Sequence, residues 1–363
     1  MERIPMVDLK EQYLQIQIEL QQCILLCAEE GKYIQGSSVA AFEAALAGYT
    51  GMPHVISCGN GTDALQLAIM ALNLPKGSKI IVPAFTFIAP VEVISFLGHE
   101  PVFVDIDPTD FNTTLEFIQS VYTSDVRAII VVHLFGLPCK DIDKIYAFCE
   151  EKNIALIEDN AQSLGAEKMI TRKSIITTSF FPTKNLGAMG DGGAVLCNDT
   201  QLAATIRKLA THGQSEKYTH DIVGINSRLD TLQAAILLVK LNYLDFYNTQ
   251  RRKNALYYQN RLQGIKEIQL PPFSATPIFH AYTIKVPAGK RNALAEFLKQ
   301  NGIASTVNYP IPAYRQSAYL QNIYLANTEN ACASALSIPI YPEITEPQLD
   351  YICNTILKFF DSE

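Results

Sequence analysis

A lysine set among aromatic, proline and glycine residues is the first feature of this sequence that could do chemistry. It stands in the run 179–187, Ser-Phe-Phe-Pro-Thr-Lys-Asn-Leu-Gly, which follows an apolar segment typical of a strand and precedes a glycine-rich run at 190–193. Desolvation in such surroundings lowers the pKa of an amine and makes it nucleophilic. Lys184 is therefore a candidate catalytic residue, although many lysines in glycine-rich turns are simply solvated.

A glycine-rich turn between a short apolar strand and a helix forms a second candidate site. The strand is predicted over 54–58, the turn Gly-Asn-Gly-Thr-Asp occupies 59–63, and the helix continues from Ala64. Free backbone N–H groups and the positive end of a helix dipole bind anions. The spacing matches neither the Walker A motif nor the dinucleotide fingerprint, which argues against ATP and NAD. Alternatively, the glycines and Asp63 only start and cap a helix.

Four further residues have both a chemical and a structural interpretation. Asp159 ends an apolar run and could be a catalytic carboxylate or the N-cap of a following helix. Phe87 could stack on a flat ligand or belong to the core. Ser179 and Asn226 could bind a ligand or form turns. None of the four decides the function by itself.

The elements that must position these residues follow a regular alternation. Strands are predicted at 54–58, 79–83, 101–106, 128–132, 155–159, 175–176 and 194–197, and helices at 12–30, 38–47, 64–72, 91–97, 142–152, 203–210 and 229–262. Continuous apolar strands alternating with helices predict an α/β fold with a mostly parallel sheet covered on both faces. Ligands bind at the carboxyl ends of such strands. Residues Thr62, Phe87, Asp159, Ser179 and Lys184 are therefore predicted to face one crevice.

Length and composition limit the class of protein. The 363 residues suffice for two domains, and we predict a large domain at 1–263, including the connecting helix, and a smaller α/β domain at 264–363. The net charge is −7 and no basic stripe offsets it, which argues against a nucleic-acid-binding surface. No run approaches the ~20 apolar residues of a membrane span and the start is unlike a secretion signal, so we expect a cytoplasmic protein without a membrane partner.

The eight cysteines are scattered and form no Cys-x-x-Cys pair. Cys23 and Cys27 share a helical face, but no histidine accompanies them. Buried free thiols are the expected state of these residues, and no metal site is predicted.

A lysine, a carboxylate, an aromatic ring and an anion pocket together match the needs of one cofactor. Pyridoxal phosphate requires an amine for its aldehyde, a carboxylate for its ring nitrogen, a surface for its ring and N–H groups for its phosphate. Asp159 lies 25 positions before Lys184 (184 − 159), with a strand behind it to hold it rigidly. The co-occurrence of these residues in this order favours the chemical interpretation of each.

Three motifs carry a resemblance to a known family. They are Glu-Asp-Asn-Ala-Gln at 158–162, the lysine run at 179–184 with the glycines at 190–193, and Gly-Ile-Asn-Ser-Arg-Leu-Asp at 224–230. In collinear order from about Ile4 to about Tyr341, the chain resembles the DegT/DnrJ-type nucleotide-sugar aminotransferases. The resemblance implies pyridoxal 5'-phosphate, the type I fold of its enzymes, and a homodimer with active sites shared between subunits.

The resemblance also implies a role for each matched residue. Lys184 would form the Schiff base and move protons, and Asp159 would pair with the pyridinium nitrogen. The other cofactor residues would be Phe87 stacked on the ring, Gln162 at the ring hydroxyl, Gly61, Thr62 and Ser179 at the phosphate, and Asn226 reaching the phosphate from the neighbouring subunit.

The substrates implied are L-glutamate and a nucleotide-linked keto sugar. Within the family, the runs 179–184, 207–214 and 226–237 look most similar to 3-aminotransferases acting on UDP-2-acetamido-3-keto-glucuronate in bacterial O-antigen synthesis. Arg228 matches a position that can meet the substrate carboxylate, for which a guanidinium is suited, although a surface salt bridge is an equal alternative. Asn308 and Tyr309 fall in a segment expected to contact the sugar.

Some positions depart from the family pattern, and other readings stay open. Asn308 replaces a common histidine, Asn160 a common alanine, and the segment 167–178 looks shortened and lacks the usual glycines. The alternatives are a C3 or C4 aminotransferase of a dTDP- or UDP-linked 6-deoxy keto sugar, and a regulatory protein that keeps the fold without catalysis. A sugar 3-dehydratase is disfavoured because those enzymes carry histidine at the position of Lys184. No residue specifies the nucleotide.

Overall fold

The computed structural model describes residues 3–166 and 174–361. Its main sheet has seven strands: β1 (His54–Cys58), β2 (Lys79–Pro83), β3 (Glu100–Val104), β4 (Val126–Val132), β5 (Ala155–Asp159), β6 (Ile175–Ser179) and β7 (Gly193–Cys197). Their order is β1-β7-β6-β5-β4-β2-β3. β7 pairs antiparallel with both neighbours and the other pairs are parallel. The mostly parallel sheet confirms the predicted α/β class.

Helices cover both faces of this sheet. They are α1 (Leu9–Gln15), α2 (Gln17–Glu30), α3 (Ser37–Thr50), α4 (Gly61–Ala71), α5 (Ala89–Phe96), α6 (Leu115–Val121), α7 (Ile142–Lys152), α8 (Thr200–Leu209), α9 (Thr231–Leu241) and α10 (Leu244–Leu262). Alternate residues of one strand enter different cores: Ile130 and Val132 of β4 pack in one cluster, and Ile129 and Val131 in another. The strands are apolar throughout because neither face is solvated.

Two long helices predicted from periodicity are each interrupted. The helix predicted over 12–30 divides at Ile16, whose backbone (φ −124°, ψ 23°) lies outside the helical region. The connecting helix divides at residues 242–243, where short-range bonds from Asn242 and Tyr243 N–H to Val239 and Lys240 O tighten the turn. Both breaks preserve the apolar period, so the pattern alone did not reveal them.

The C-terminal part forms smaller units around a core of its own. A hairpin of β8 (Gln214–Glu216) and β9 (Thr219–His220) precedes it, and the part contains β10 (Tyr282–Lys285), α11 (Arg291–Gln300), α12 (Ala326–Ser334), β11 (Ala335–Ile338) and α13 (Glu346–Asp361). β10 and β11 pair antiparallel. Their core also includes Ile4, Leu137 and the end of α10. The domain boundary at residue 264 stays a prediction.

Across the described ranges, none of the helices has both the length and the apolar character that crossing a membrane requires. The cytoplasmic location therefore stays an expectation from the sequence.

Candidate active site

The carboxyl ends of β1, β2, β4, β5 and β6 meet at one edge of the sheet because β7 alone runs the other way. A cavity of about 680 Å³ opens at this edge. Eight of the residues singled out from the sequence line it: Gly61, Thr62, Phe87, Asp159, Gln162, Ser179, Lys184 and Tyr309. The other three, Asn226, Arg228 and Asn308, are not among its lining residues.

The turn before α4 has the geometry of an anion site. Asn60 caps the helix through a 2.8 Å bond from Asp63 N–H to its side-chain oxygen, so Asp63 is not the capping residue. A Cβ on Gly61 would lie 2.7 Å from the Cβ of Ser179, and one on Gly193 would lie 2.3 Å from the carbonyl oxygen of Asn60. Only glycine permits this approach, which sets the helix N-terminus directly against the end of β6.

Asp159 presents a buried carboxylate at the end of β5. Its Oδ1 accepts a 3.0 Å bond from the N–H of Ala161, and residues 160–166 form turns rather than the helix that an N-cap role would need. Burial raises the pKa of Asp159, while the Ala161 N–H and the charges of Lys184 and His133 act in the opposite direction. The carboxylate is thus poised to gain from a cationic partner.

Lys184 lies in a loop that folds back on itself behind β6. Its N–H bonds the carbonyl of Phe181 at 2.8 Å, and Ala188 N–H bonds the carbonyl of Phe180 at 2.7 Å. The side chain is half-buried. Burial lowers the pKa of Lys184, and the nearby charge of Asp159 raises it. Desolvation prevails, which increases the fraction of neutral, nucleophilic amine.

Aromatic and amide side chains form one wall of the cavity. Gln162 accepts a 2.6 Å bond from the N–H of Phe135 and hydrogen-bonds the hydroxyl of Tyr309. Burial raises the pKa of Tyr309, the Gln162 bond lowers it, and the charge of Asp159 raises it further. The Tyr309 ring packs 5.9 Å from Phe85 and 6.3 Å from Phe87. Phe87 is 54% exposed, so it is not a core residue in this chain.

The loop 224–230 lies against the anion turn but points its predicted residues elsewhere. Ser227 donates a 2.6 Å bond to Asp63 and accepts a 2.9 Å bond from Gly59 N–H. Asn226 is exposed to solvent. Arg228 is half-buried and has no hydrogen bond or ion pair within the described residues, so the surface salt bridge considered for it is not found.

Two residues near the cavity were missed by sequence reasoning. Thr86 lines the cavity with a buried hydroxyl that lacks a partner in the described part of the chain. It directly precedes Phe87 after β2, which was a usable signal. His280 lies beside the lysine loop, and no sequence pattern links it to a site 96 positions away. Most of the shortened segment, residues 167–173, lies outside the described residues.

Pyridoxal phosphate fits these groups. A half-buried amine and a buried carboxylate share the cavity with the N-terminus of α4, where the turn glycine leaves no room for a side chain. These are the groups that its aldehyde, ring nitrogen and phosphate need. Throughout residues 3–166 and 174–361, no group of three or more His, Cys, Asp or Glu is placed to bind a metal ion.

The comparison with known families agrees with the fold and the cavity. The model of the DegT/DnrJ/EryC1/StrS aminotransferase family matches residues 15–357. The chain belongs to this family. It is accordingly an enzyme, an aminotransferase, and its cofactor is pyridoxal phosphate.

Three curated relatives match nearly their whole length. A pleiotropic regulatory protein of Geobacillus stearothermophilus is 40% identical, with 98% of each chain covered. A UDP-N-acetyl-3-dehydro-alpha-D-glucosamine 3-aminotransferase of Acidithiobacillus ferrooxidans is 39% identical, covering 98% of this chain and 97% of the relative. A UDP-2-acetamido-2-deoxy-3-oxo-D-glucuronate aminotransferase of Pseudomonas aeruginosa is 38% identical, covering 96% and 98%.

Solved structures share the whole fold. The S. venezuelae protein DesV superposes with a TM-score of 0.95 at 32% identity, covering 99% of each chain. NtdA of Bacillus subtilis, solved with bound cofactor PMP, gives a TM-score of 0.94 at 28% identity, covering 99% of this chain and 86% of its own.

Proposed function

We propose that this aminotransferase transfers the amino group of L-glutamate to C3 of a UDP-linked 2-acetamido-3-keto sugar, of the glucuronate type, for bacterial surface polysaccharide. The observation that supports a catalytic role is the cavity that holds Lys184 and Asp159 together at the carboxyl edge of the sheet. The substrate class is supported by two curated relatives that are named 3-aminotransferases of UDP-linked 3-keto sugars.

When bound, pyridoxal phosphate supplies an aldehyde for amines and a protonated ring that withdraws electrons. Asp159 would hold the proton on the ring nitrogen, because its buried carboxylate gains most from a cationic partner. Gly61, Thr62 and Ser179 would bind the phosphate at the N-terminus of α4. Phe87 would cover one face of the ring and exclude water from it.

Lys184 would be the group that moves protons. Its lowered pKa allows the neutral amine to accept a proton from the carbon of the amino donor. The resulting ammonium would then donate a proton to the carbon of the cofactor. The second half-reaction reverses these steps on the keto sugar. Gln162 would hold the ring hydroxyl through its amide nitrogen, which carries a second N–H besides the one that Tyr309 accepts.

Arg228 supports a substrate with a carboxylate. It is half-buried and unpaired within the described residues, so its guanidinium is available to bind an anion bidentately. Because Arg228 does not line the cavity of its own chain, it would meet the substrate in the cavity of a second copy. The test compares Arg228→Leu with the unchanged enzyme on the 3-keto glucuronate and on the neutral 3-keto glucosamine, both UDP-linked. We expect KM to rise about tenfold or more for the uronate only. Equal losses on both sugars would contradict a carboxylate contact.

The substrate itself is tested with a panel of keto sugars. Purified enzyme, pyridoxal phosphate and glutamate are incubated with UDP- and dTDP-linked 3-keto and 4-keto sugars, and mass spectrometry detects the amino product. We expect conversion of UDP-linked 3-keto sugars with formation of 2-oxoglutarate. If none of the 3-keto substrates is converted, the proposed substrate is wrong.

We also propose that the active site is completed by a second copy of the chain. Asn226 is exposed and outside the cavity of its own chain. Just before this loop Val223 is 89% exposed, and Tyr218 of the neighbouring hairpin is 83% exposed, which suits an apolar contact. Mixing inactive Lys184→Ala protein with inactive Asn226→Ala protein should restore activity, because one hybrid site is intact. Hybrids without activity would contradict shared sites.

Two other functions follow from particular observations. Asn308 stands where related enzymes commonly carry histidine, which leaves a dTDP- or UDP-linked 6-deoxy sugar as the alternative substrate, and the same panel covers it. The Geobacillus relative is named as a regulatory protein. An amine, a carboxylate and an anion turn that share one cavity favour catalysis, and a purified protein that stays colourless with pyridoxal phosphate would favour regulation.

A further inference from the structure

The loop that carries Lys184 is anchored by a chain of buried amides. Asn185, the next residue, donates through Nδ2 to Oδ1 of Asn248 at 2.7 Å. Asn248 in turn donates to the carbonyl of Leu164 at 3.3 Å. Both asparagines are buried, 5% and 1% exposed. These two bonds orient both amide groups, so that the Oδ1 atom of Asn185 is left as an acceptor.

His280 supplies the donor for that acceptor. Its Nδ1 lies 3.0 Å from Oδ1 of Asn185. Because an amide oxygen can only accept, the hydrogen must be on Nδ1, and a neutral ring then leaves Nε2 unprotonated. Burial lowers the pKa of His280 well below its usual value, and the charges of Lys184 and Arg251 lower it further. The ring is thus neutral, with one tautomer selected by the amide chain.

The backbone around His280 is fixed from both sides. Arg251 donates to the carbonyls of Phe279 and His280 at 3.4 and 3.2 Å. Ile278 N–H bonds the carbonyl of Gly136 at 3.0 Å. A Cβ on Gly136 would lie 2.5 Å from the His280 nitrogen, so the two backbones are in direct contact. His280 therefore offers a rigid support rather than a mobile side chain.

We propose that His280 is a positioning residue for Lys184, acting as an Nδ1–H donor that locks Asn185 and with it the peptide carrying the lysine. The inference rests on the proposed catalytic role of Lys184. A fixed loop keeps the amine at one place in the cavity, and small displacements of a reacting group cost large factors in rate. His280 itself would contact Asn185 and no reacting atom.

The test uses the geometry of two amide replacements. His280→Asn places an N–H close to the position of Nδ1, whereas His280→Gln places it close to Nε2. We expect His280→Asn to keep kcat within about twofold of the unchanged enzyme and His280→Gln to lower kcat about tenfold with KM for both substrates unchanged. His99→Gln is the matched control, since His99 is half-buried, far along the chain, and has a buried Nδ1 without a partner in the described residues.

A second readout needs neither cofactor nor substrate. The pKa of Lys184 is measured in cofactor-free protein by the pH dependence of its labelling with an amine reagent, read by peptide mass spectrometry. We expect His280→Gln to raise this pKa by about half a unit, toward the ordinary value, because a loosened loop admits water. His280→Asn and His99→Gln should leave it unchanged.

The outcomes separate the possible roles. A His280→Gln variant with unchanged kcat and unchanged Lys184 pKa would overturn the proposal. Equal losses of kcat in His280→Asn and His280→Gln would also overturn it, because they would show that the shape of the ring matters and not the Nδ1–H bond. If His280→Gln folds poorly, Asn185→Ala removes the same bond from the other side and should give the same amine pKa. Borohydride reduction of the protein loaded with pyridoxal phosphate tests Lys184 separately. If it attaches the cofactor to a different lysine, the proposed function is wrong, whatever the role of His280.

Discussion

Replacing Asp159 by asparagine tests the electrostatic design of the site. The substitution keeps the size of the side chain, and the amide oxygen can still accept the 3.0 Å bond from Ala161 N–H. It removes the negative charge, which is buried at 8% exposure and shares the cavity with Lys184, and it turns one acceptor oxygen into an N–H donor. Any large effect must therefore come from the loss of the anionic acceptor.

The expected size of the effect follows from burial. Removing one partner of a buried ion pair costs about 3–5 kcal/mol. If Asp159 holds the protonated ring nitrogen, kcat/KM should fall by about 150- to 5,000-fold. In cofactor-free protein the charge of Asp159 raises the pKa of Lys184, so Asp159→Asn should lower that pKa further. Kinetics with glutamate and the keto sugar measure the first effect, and amine labelling measures the second.

Asp110→Asn is the matched control. Asp110 is also buried, at 7% exposure, and its Oδ1 accepts a 2.9 Å bond from the N–H two residues ahead, as Asp159 does. Burial raises the pKa of Asp110 to about 6. It does not line the cavity, and its replacement should leave kcat/KM within about twofold. An Asp159→Asn enzyme that retains a tenth or more of its activity would show that the charge of Asp159 does not hold a protonated ring nitrogen.

Two further predictions concern the turn and a buried lysine. Gly61→Ala should weaken the affinity for pyridoxal phosphate about tenfold in a spectroscopic titration, because the new Cβ would lie 2.7 Å from the Cβ of Ser179. Gly48→Ala, which has open space around it in α3, should leave this affinity unchanged and stabilise the protein by about 0.5–1 kcal/mol. Equal cofactor affinities of the two variants would contradict the steric argument. Lys240 is 4% exposed, donates to Gly187 O at 2.7 Å, and has its pKa lowered to about 8 by burial, with Glu343 opposing. Between pH 8 and about 10.5 the unfolded chain binds more protons at this residue than the folded protein does. The unfolding free energy of the unchanged protein, minus that of Lys240→Met, should therefore rise with pH by up to about 3 kcal/mol over this range, measured by urea titrations. A difference independent of pH would show that Lys240 is not desolvated.

Buried strands were the most predictable part of the fold. The bounds of β1, β2 and β5 agree with the structure to the residue, because each is a short run rich in apolar residues. The direction of β7 was not readable, since an apolar strand in the middle of a sheet looks the same in either direction. α12 and α13 were not assigned at all, and the breaks at Ile16 and at 242–243 leave the helical period intact.

The cavity was predictable where chemistry follows a strand. Phe87, Asp159 and Lys184 could be placed at one edge because the carboxyl ends of parallel strands meet there. Contacts across the fold were not predictable. His280 bonds Asn185 from 95 positions away, and Tyr309 reaches Gln162 from 147 (309 − 162). Asn226 and Arg228 lie outside the cavity of their own chain.

Borohydride reduction tests the central proposal most directly. The protein is loaded with pyridoxal phosphate, reduced, digested, and searched by mass spectrometry for the cofactor mass on lysine. We expect one modified residue, Lys184, and bleaching of the yellow colour, with no modification in Lys184→Ala. Stable labelling of a different lysine, or a yellow Lys184→Ala protein that borohydride still labels, would contradict the catalytic role of Lys184.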